Sequence, residues 1–221
     1  MPPRKRTGPK LLRFDRALGG RLVAGADEAG RGPLAGPLVV AGVLLDYELL
    51  REHRVRPLAL LNDSKQVDPA TRDELYRAVL SCAERVAVRV FPASVIDRDG
   101  LHRCNLRGLR EALWACQPAD VCLVDGFKLG PTAPPHRAVV DGDTKSAAIA
   151  AASIVAKVTR DRYMHTTADA LYPGYGFASH VGYITPSHTR VVRERGPCEI
   201  HRRSWRARAY QPEEEPAAAS V

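Results

Sequence analysis

The run Leu38-Val39-Val40-Ala41-Gly42-Val43-Leu44-Leu45 constrains the fold more than any other segment. It is apolar without alternation and rich in β-branched residues, the pattern of a strand covered on both faces. Such a strand needs helices on either side of its sheet, so an α/β architecture is expected. Leu22 to Ala26 predicts another strand, Val86, Val88 and Val90 alternate along a third, and Val121 to Val124 and Ala138 to Val140 predict two short ones. Helical patterns lie between them. Asp68 caps and Pro69 opens one, with Leu75, Val79 and Ala83 on its apolar face. Leu106, Leu109, Leu113 and Cys116 recur at helical spacing. Ser146 to Val158 is apolar nearly all round and predicts a buried helix, and Pro186 to Arg195 a polar, basic one. The closeness of the first strands predicts an antiparallel pair within a mixed sheet.

Of 221 residues, 45% are hydrophobic and 26% charged, which excludes wholesale disorder and suits one large domain or two small ones. The longest apolar stretch, Leu34 to Leu45, is broken by Gly36, Pro37 and Gly42. It falls short of the roughly 18 residues of a membrane span. No signal peptide is visible, and five cysteines without a Cys-x-x-Cys pair argue against disulfides and structural zinc, so a cytoplasmic location is expected. Lys and Arg number 33 against 25 Asp and Glu. Residues 1–20, with Arg4, Lys5, Arg6, Lys10, Arg13 and Arg16 against Asp15, read as a disordered basic arm. Residues 211–221 read as a disordered tail, and seven arginines fall between Arg190 and Arg208. A basic stripe suits a polyanion, because each neutralised phosphate releases counterions. A solvated basic surface is the alternative.

Three apolar strands end in carboxylates: Asp27-Glu28, Asp125, and Asp143 with Asp141 two residues before it. One strand-terminal aspartate commonly serves a turn. Three strands ending so point to a site beyond the carboxyl ends of the sheet. Converging carboxylates repel unless a cation neutralises them, and hard oxygen donors suit Mg²⁺ or Mn²⁺. Neighbouring strand residues face opposite sides, so Asp27 and Glu28 share a site only if the strand ends there. Ala29-Gly30-Arg31-Gly32-Pro33 is expected to supply that break.

The eleven residues Asp27-Glu28-Ala29-Gly30-Arg31-Gly32-Pro33-Leu34-Ala35-Gly36-Pro37 resemble the signature of the type-2 ribonucleases H, the ribonuclease HII family. Further segments match in order: Leu61 to Lys65, Val124-Asp125-Gly126, Gly142 to Ser146, Ala150 to Asp161, Tyr175-Gly176-Phe177, His180 to Tyr183, and His201 to Ser204. The resemblance spans about residues 21–206. It implies a ribonuclease-H-like mixed β-sheet flanked by helices, with a catalytic domain over 21–185 and a basic C-terminal helical extension over 186–210. It implies endonucleolytic cleavage of the RNA strand of RNA/DNA hybrids and at ribonucleotides embedded in duplex DNA. Hydrolysis by two divalent cations, Mn²⁺ or Mg²⁺, would leave 3′-hydroxyl and 5′-phosphate ends.

Residue by residue, the resemblance assigns the metal site to Asp27, Glu28, Asp125 and Asp143. Gly30, Arg31 and Gly32 would contact the ribose 2′-hydroxyl and nearby phosphate, and Tyr183 would pack on the adjacent deoxyribose. Lys65, Lys145, Lys157 and Arg160 are candidate phosphate contacts, and Arg202 and Arg203 suit a duplex-binding region. His180 and His188 read as structural or phosphate-facing. A monomer without membrane contact is expected. The rivals are a type-3 ribonuclease H, which shares the carboxylates, and a non-catalytic basic nucleic-acid-binding protein.

Overall fold

The computed structural model describes residues 6–50, 56–205, 207 and 210. Its sheet contains β1 (Leu22–Ala29), β2 (Leu38–Asp46), β3 (Arg85–Phe91), β4 (Val121–Asp125) and β5 (Arg137–Val139), in the order β3-β2-β1-β4-β5. β2 runs antiparallel to β1 and β3, whereas β1, β4 and β5 are mutually parallel. The main helices are α1 (Gly8–Arg16), α2 (Pro69–Cys82), α3 (Ala93–Asp99), α4 (Leu101–Ala115), α5 (Ala147–Arg162) and α6 (Pro186–Arg195).

The uninterrupted apolarity of β2 is explained by two cores. Val39, Ala41, Val43 and Leu45 pack toward α1, α2 and α5, while Leu38, Val40 and Leu44 pack toward α4. Glycines set how closely the helices approach. A Cβ on Gly25 would stand 2.2 Å from the Ala148 carbonyl carbon in α5, and one on Gly42 would stand 2.8 Å from the Ala112 oxygen in α4. Only glycine permits these crossings. The alanines of α5 keep that helix thin where it is enclosed on all sides. Its start is capped by Ser146, whose hydroxyl accepts from the Ile149 amide at 3.2 Å. Asp68 caps α2 by accepting from the Thr71 amide at 3.0 Å, as its sequence predicts.

The expected basic arm needs correction. Residues 1–5 lie outside the described residues, but α1 occupies the middle of the segment. Its Leu11 and Leu12 are buried beneath α5, and Asp15 accepts from the Tyr47 hydroxyl at 2.6 Å and the Ala148 amide at 2.9 Å. Sparse leucines among cations suffice once a distant surface receives them. At the other end, α6 forms as expected, but the chain from Gly196 to Trp205 is turns and irregular backbone, not helix. The expected tail, 211–221, lies outside the described residues. All five cysteines are free thiols. Among the described residues no helix is long and apolar enough to cross a membrane.

Candidate active site

β1 does not break at Asp27. Its ladder with β2 continues through Asp27–Ala41, Glu28–Val40 and Ala29–Val39. The ladder on the other side stops, its last pair being Ala26–Val124. Asp27 and Asp125 are therefore the first residues past that pair on neighbouring parallel strands. Since β1 continues, Asp27 and Glu28 face opposite sides of it. Asp27 turns toward α5, where the Ser153 hydroxyl lowers its pKa, and Glu28 turns toward the Asn105 amide of α4. They converge over the open end of β4, not at a strand terminus of their own.

Asp143 arrives by another route. β5 ends at Val139, and Asp141 takes a left-handed conformation (φ 52°), which aspartate tolerates. The chain then enters a short 3₁₀ turn, Gly142–Thr144, whose Gly142 amide donates to Asp125 Oδ1 at 2.7 Å. Asp143 is buried beside Asp125, while Asp141 stays exposed, so the two do not share a strand face.

Burial is the largest cause raising the pKa of each of the four carboxylates. For Asp27, raised well above its ordinary value, Glu28 and Asp125 add to it. Asp125 raises Glu28, which Arg31 opposes. Asp125 is itself raised by burial, against the Gly142 amide, and Asp143 is pushed to about 6 by burial, Asp63 and Asp125. Asp63 and Lys65 come from the segment before α2; the Lys65 charge lowers both Asp125 and Asp143. Arg31 reaches Glu28 Oε1 at 3.4 Å and lies over the Phe127 ring. Glu28 Oε2 is buried without a hydrogen-bond partner. Among the described residues no three acidic, histidine or cysteine groups stand together closely enough to hold a metal ion as they are placed. The donor chemistry nonetheless fits hard divalent cations: all-oxygen, mutually repelling, and with one buried lone pair unused.

Beside these acids lies the loop 30–37, held from behind by two buried arginines. Arg202 donates to the Gly30 oxygen at 2.6 Å, Gly36 at 2.9 and 3.1 Å and Arg31 at 3.3 Å. Arg160 donates to the Pro37 and Ala35 oxygens at 3.0 Å each. Neither is a surface cation, which corrects the expectation that Arg160 contacts phosphate and that Arg202 contacts duplex. Both side chains are fully buried, and their charges serve carbonyls of this loop. The Leu34 and Ala35 amides donate to the Gly182 oxygen, which ties the loop to the turn bearing Tyr183. The Tyr183 ring is partly exposed and lies against Gly32, where a Cβ would stand 3.7 Å from Cε1. Lys157 pairs with Asp161 at 2.9 Å and sits 5.6 Å over the Tyr183 ring. Lys145 donates to the Val140 oxygen.

Sequence reasoning passed over Ser153, Asn105 and Asp63 as parts of the site. Ser153 and Asp63 lie inside the quoted family segments, and that position was their available signal. Asn105 carried none, being one polar residue on an apolar helix face.

A central parallel strand pair whose open end gathers carboxylates, in a mixed five-stranded sheet covered by helices, defines a class: nucleases built on the ribonuclease H fold. The family model for ribonuclease HII matches residues 24–208. A ribonuclease HII of Nocardia farcinica is 49% identical over 185 residues, covering 83% of this chain and 71% of that protein. Two solved structures superpose closely, each 27% identical. The ribonuclease H2 of Pyrococcus horikoshii has a TM-score of 0.71 over 84% of this chain and 94% of that one. The ribonuclease HII in a PCNA complex from Archaeoglobus fulgidus has a TM-score of 0.66 over 85% and 96%. The chain belongs to the ribonuclease HII family, hydrolases that act as type-2 ribonuclease H endonucleases.

Proposed function

We propose that the chain cleaves the RNA strand of RNA/DNA hybrids and cuts duplex DNA at embedded ribonucleotides, with Asp27, Glu28, Asp125 and Asp143 holding two divalent cations, Mg²⁺ or Mn²⁺. Bound there, such ions polarise the scissile phosphodiester and balance charge on the entering and leaving oxygens of in-line hydrolysis, which leaves 3′-hydroxyl and 5′-phosphate ends. The protein's part is to present carboxylates whose repulsion a cation relieves. The Gly142 amide fixes Asp125 by its bond to Oδ1. The Ser153 hydroxyl, which donates to the Ser64 hydroxyl at 3.0 Å, lies close enough to Asp27 to lower its pKa. With a cation held at the carboxylates, Arg31 would be free to turn from Glu28, which it meets at 3.4 Å, toward a substrate phosphate.

Selection of RNA falls to the 2′-hydroxyl, the group that separates it from DNA. Gly30, Arg31 and Gly32 contact it and the nearby phosphate, with the loop prepositioned by the arginines behind it. Tyr183, against Gly32, packs on the next deoxyribose and leaves no room for a second 2′-hydroxyl. Lys65, next to Asp125 and Asp143, and Lys157, next to Tyr183, meet phosphates.

The observation that carries this reading is the gathering of four carboxylates where the β1–β4 ladder ends, with burial and repulsion between carboxylates raising the pKa of each. A non-catalytic phosphate-binding module gains nothing from acids that repel its ligand. Asp125→Asn is expected to retain hybrid binding and to lose cleavage by at least about a thousandfold, since the removed charge acts in the transition state. Single-turnover cleavage with Mn²⁺, beside a filter-binding titration, checks this. Undiminished cleavage would overturn the assignment.

A further inference from the structure

Three histidines from separate segments meet beneath the Tyr183 turn, all buried: His180, His188 on α6, and His201. Their hydrogen bonds admit one arrangement of protons. The Tyr183 carbonyl can only accept, so His188 Nδ1, 2.8 Å away, carries a hydrogen and donates. Burial lowers the pKa of His188 and His201 to about 4, so both rings are neutral at pH 7. His188 Nε2 is then an acceptor, and His201 Nε2, 3.1 Å away, donates to it. His201 Nδ1 in turn accepts from the Cys198 amide at 3.0 Å, with the Cys198 sulfur at 3.1 Å. The polarity runs one way, from Cys198 through His201 and His188 to the carbonyl of Tyr183.

His180 braces the same turn from its other side. Its Nδ1 accepts from the Gly182 amide at 3.2 Å and its Nε2 donates to the Tyr175 oxygen at 2.8 Å. Its ring stacks on His188 with centroids 4.1 Å apart, and Phe177 closes the cluster edge-on. Between these bonds Val181 is held at φ 44°, a left-handed conformation that a β-branched residue rarely adopts. Strain of that kind persists only where its surroundings over-determine it, and it clusters at functional sites.

We propose that His188 is a positioning residue for ribonucleotide selection: through the His201–His188 chain it holds the Tyr183 carbonyl, and so fixes the Tyr183 ring against Gly32. This rests on the reading of Tyr183 as the group that senses the junction. The chain reaches the selecting tyrosine and not the carboxylates. Its loss is therefore felt in the choice between substrates more than in the chemical step.

The test compares cleavage of a duplex carrying one ribonucleotide with cleavage of an all-RNA/DNA hybrid, with Mn²⁺ supplied. In His188→Gln the side-chain amide reaches toward His201 but cannot occupy the place of Nδ1. The ratio of single-ribonucleotide to hybrid cleavage is expected to fall about fivefold, on the scale of one neutral hydrogen bond. In His188→Asn the amide nitrogen stands where Nδ1 stood, and most of the ratio is expected to return. In a Tyr183→Ala background, His188→Gln is expected to change the ratio no further, the signature of two residues acting as one. If His188→Gln lowers both activities in equal proportion, or its effect adds to that of Tyr183→Ala, the inference fails. If Tyr183→Ala itself leaves the ratio unchanged, the sensing role fails first. Should His188→Gln be recovered unfolded, His201→Gln, which keeps the donor, and His201→Leu, which removes it, carry the same comparison.

Discussion

Arg202 is a fully buried cation spent on main-chain oxygens of Gly30, Arg31 and Gly36. Burial and the neighbouring Arg160 lower its proton affinity, yet a guanidinium stays charged, so the loop carbonyls are what repay its desolvation. Arg202→Met is expected to destabilise the chain by about 3–5 kcal/mol, because it leaves those oxygens buried and unpaired. Arg202→Lys should recover little, since a point charge cannot span three carbonyls. Urea titration at constant slope measures this, and a Met variant as stable as the parent would refute it. The two arginines also mark a limit of legibility. Nothing local separates a cation aimed at solvent from one aimed at carbonyls more than a hundred residues away. Asp27 and Asp125 were readable because each follows an apolar strand. Asp143 was readable as a residue but not as a geometry, because the left-handed Asp141 replaces the expected strand end with a turn.

At the level of elements, strands and helices with strong patterns formed where their periodicity places them: the doubly buried β2, the alternating β3, the capped α2 and the all-round apolar α5. The failures share a cause, which is a partner remote in sequence. β1 runs past Ala26 through Asp27 and Glu28 to Ala29, where the expected break begins, because β2 continues to pair with it, and α1 forms because the α5 side of the sheet receives its leucines. The histidine cluster joining α6 to the Tyr183 turn makes a prediction about pH. The folded pKa values of His188 and His201, about 4, lie below the ordinary 6.5, so between those values the unfolded chain binds more protons than the folded one. Their contribution is complete above pH 6.5 and is lost as pH falls toward 4. His201→Gln, which cannot titrate, is expected to show a shallower loss of stability from pH 7 to pH 4.5, by at most about 1.4 kcal/mol per pH unit. Chemical denaturation across that range checks it, and parallel profiles for parent and variant would refute it.

For the whole molecule, the net charge of +8 fits a polyanionic substrate. The basic N-terminal segment is not charge alone. Removing residues 1–20 takes Leu11, Leu12 and Asp15 out of the core, and burial of each leucine is worth about 1.5–3 kcal/mol. The truncated chain is therefore expected to be less stable by at least about 3 kcal/mol, with a lower thermal midpoint. An unchanged midpoint would show that α1 adds nothing to the fold. The bonds between Arg202 and the glycine-rich loop also bear on how the enzyme is made. Residues 30 and 202 are 172 positions apart, so a chain emerging from the ribosome lays down Asp27, Glu28, Asp125 and Asp143 before the residue that braces loop 30–37. If that loop selects RNA as proposed, nascent copies have no braced selector until synthesis has passed Arg202.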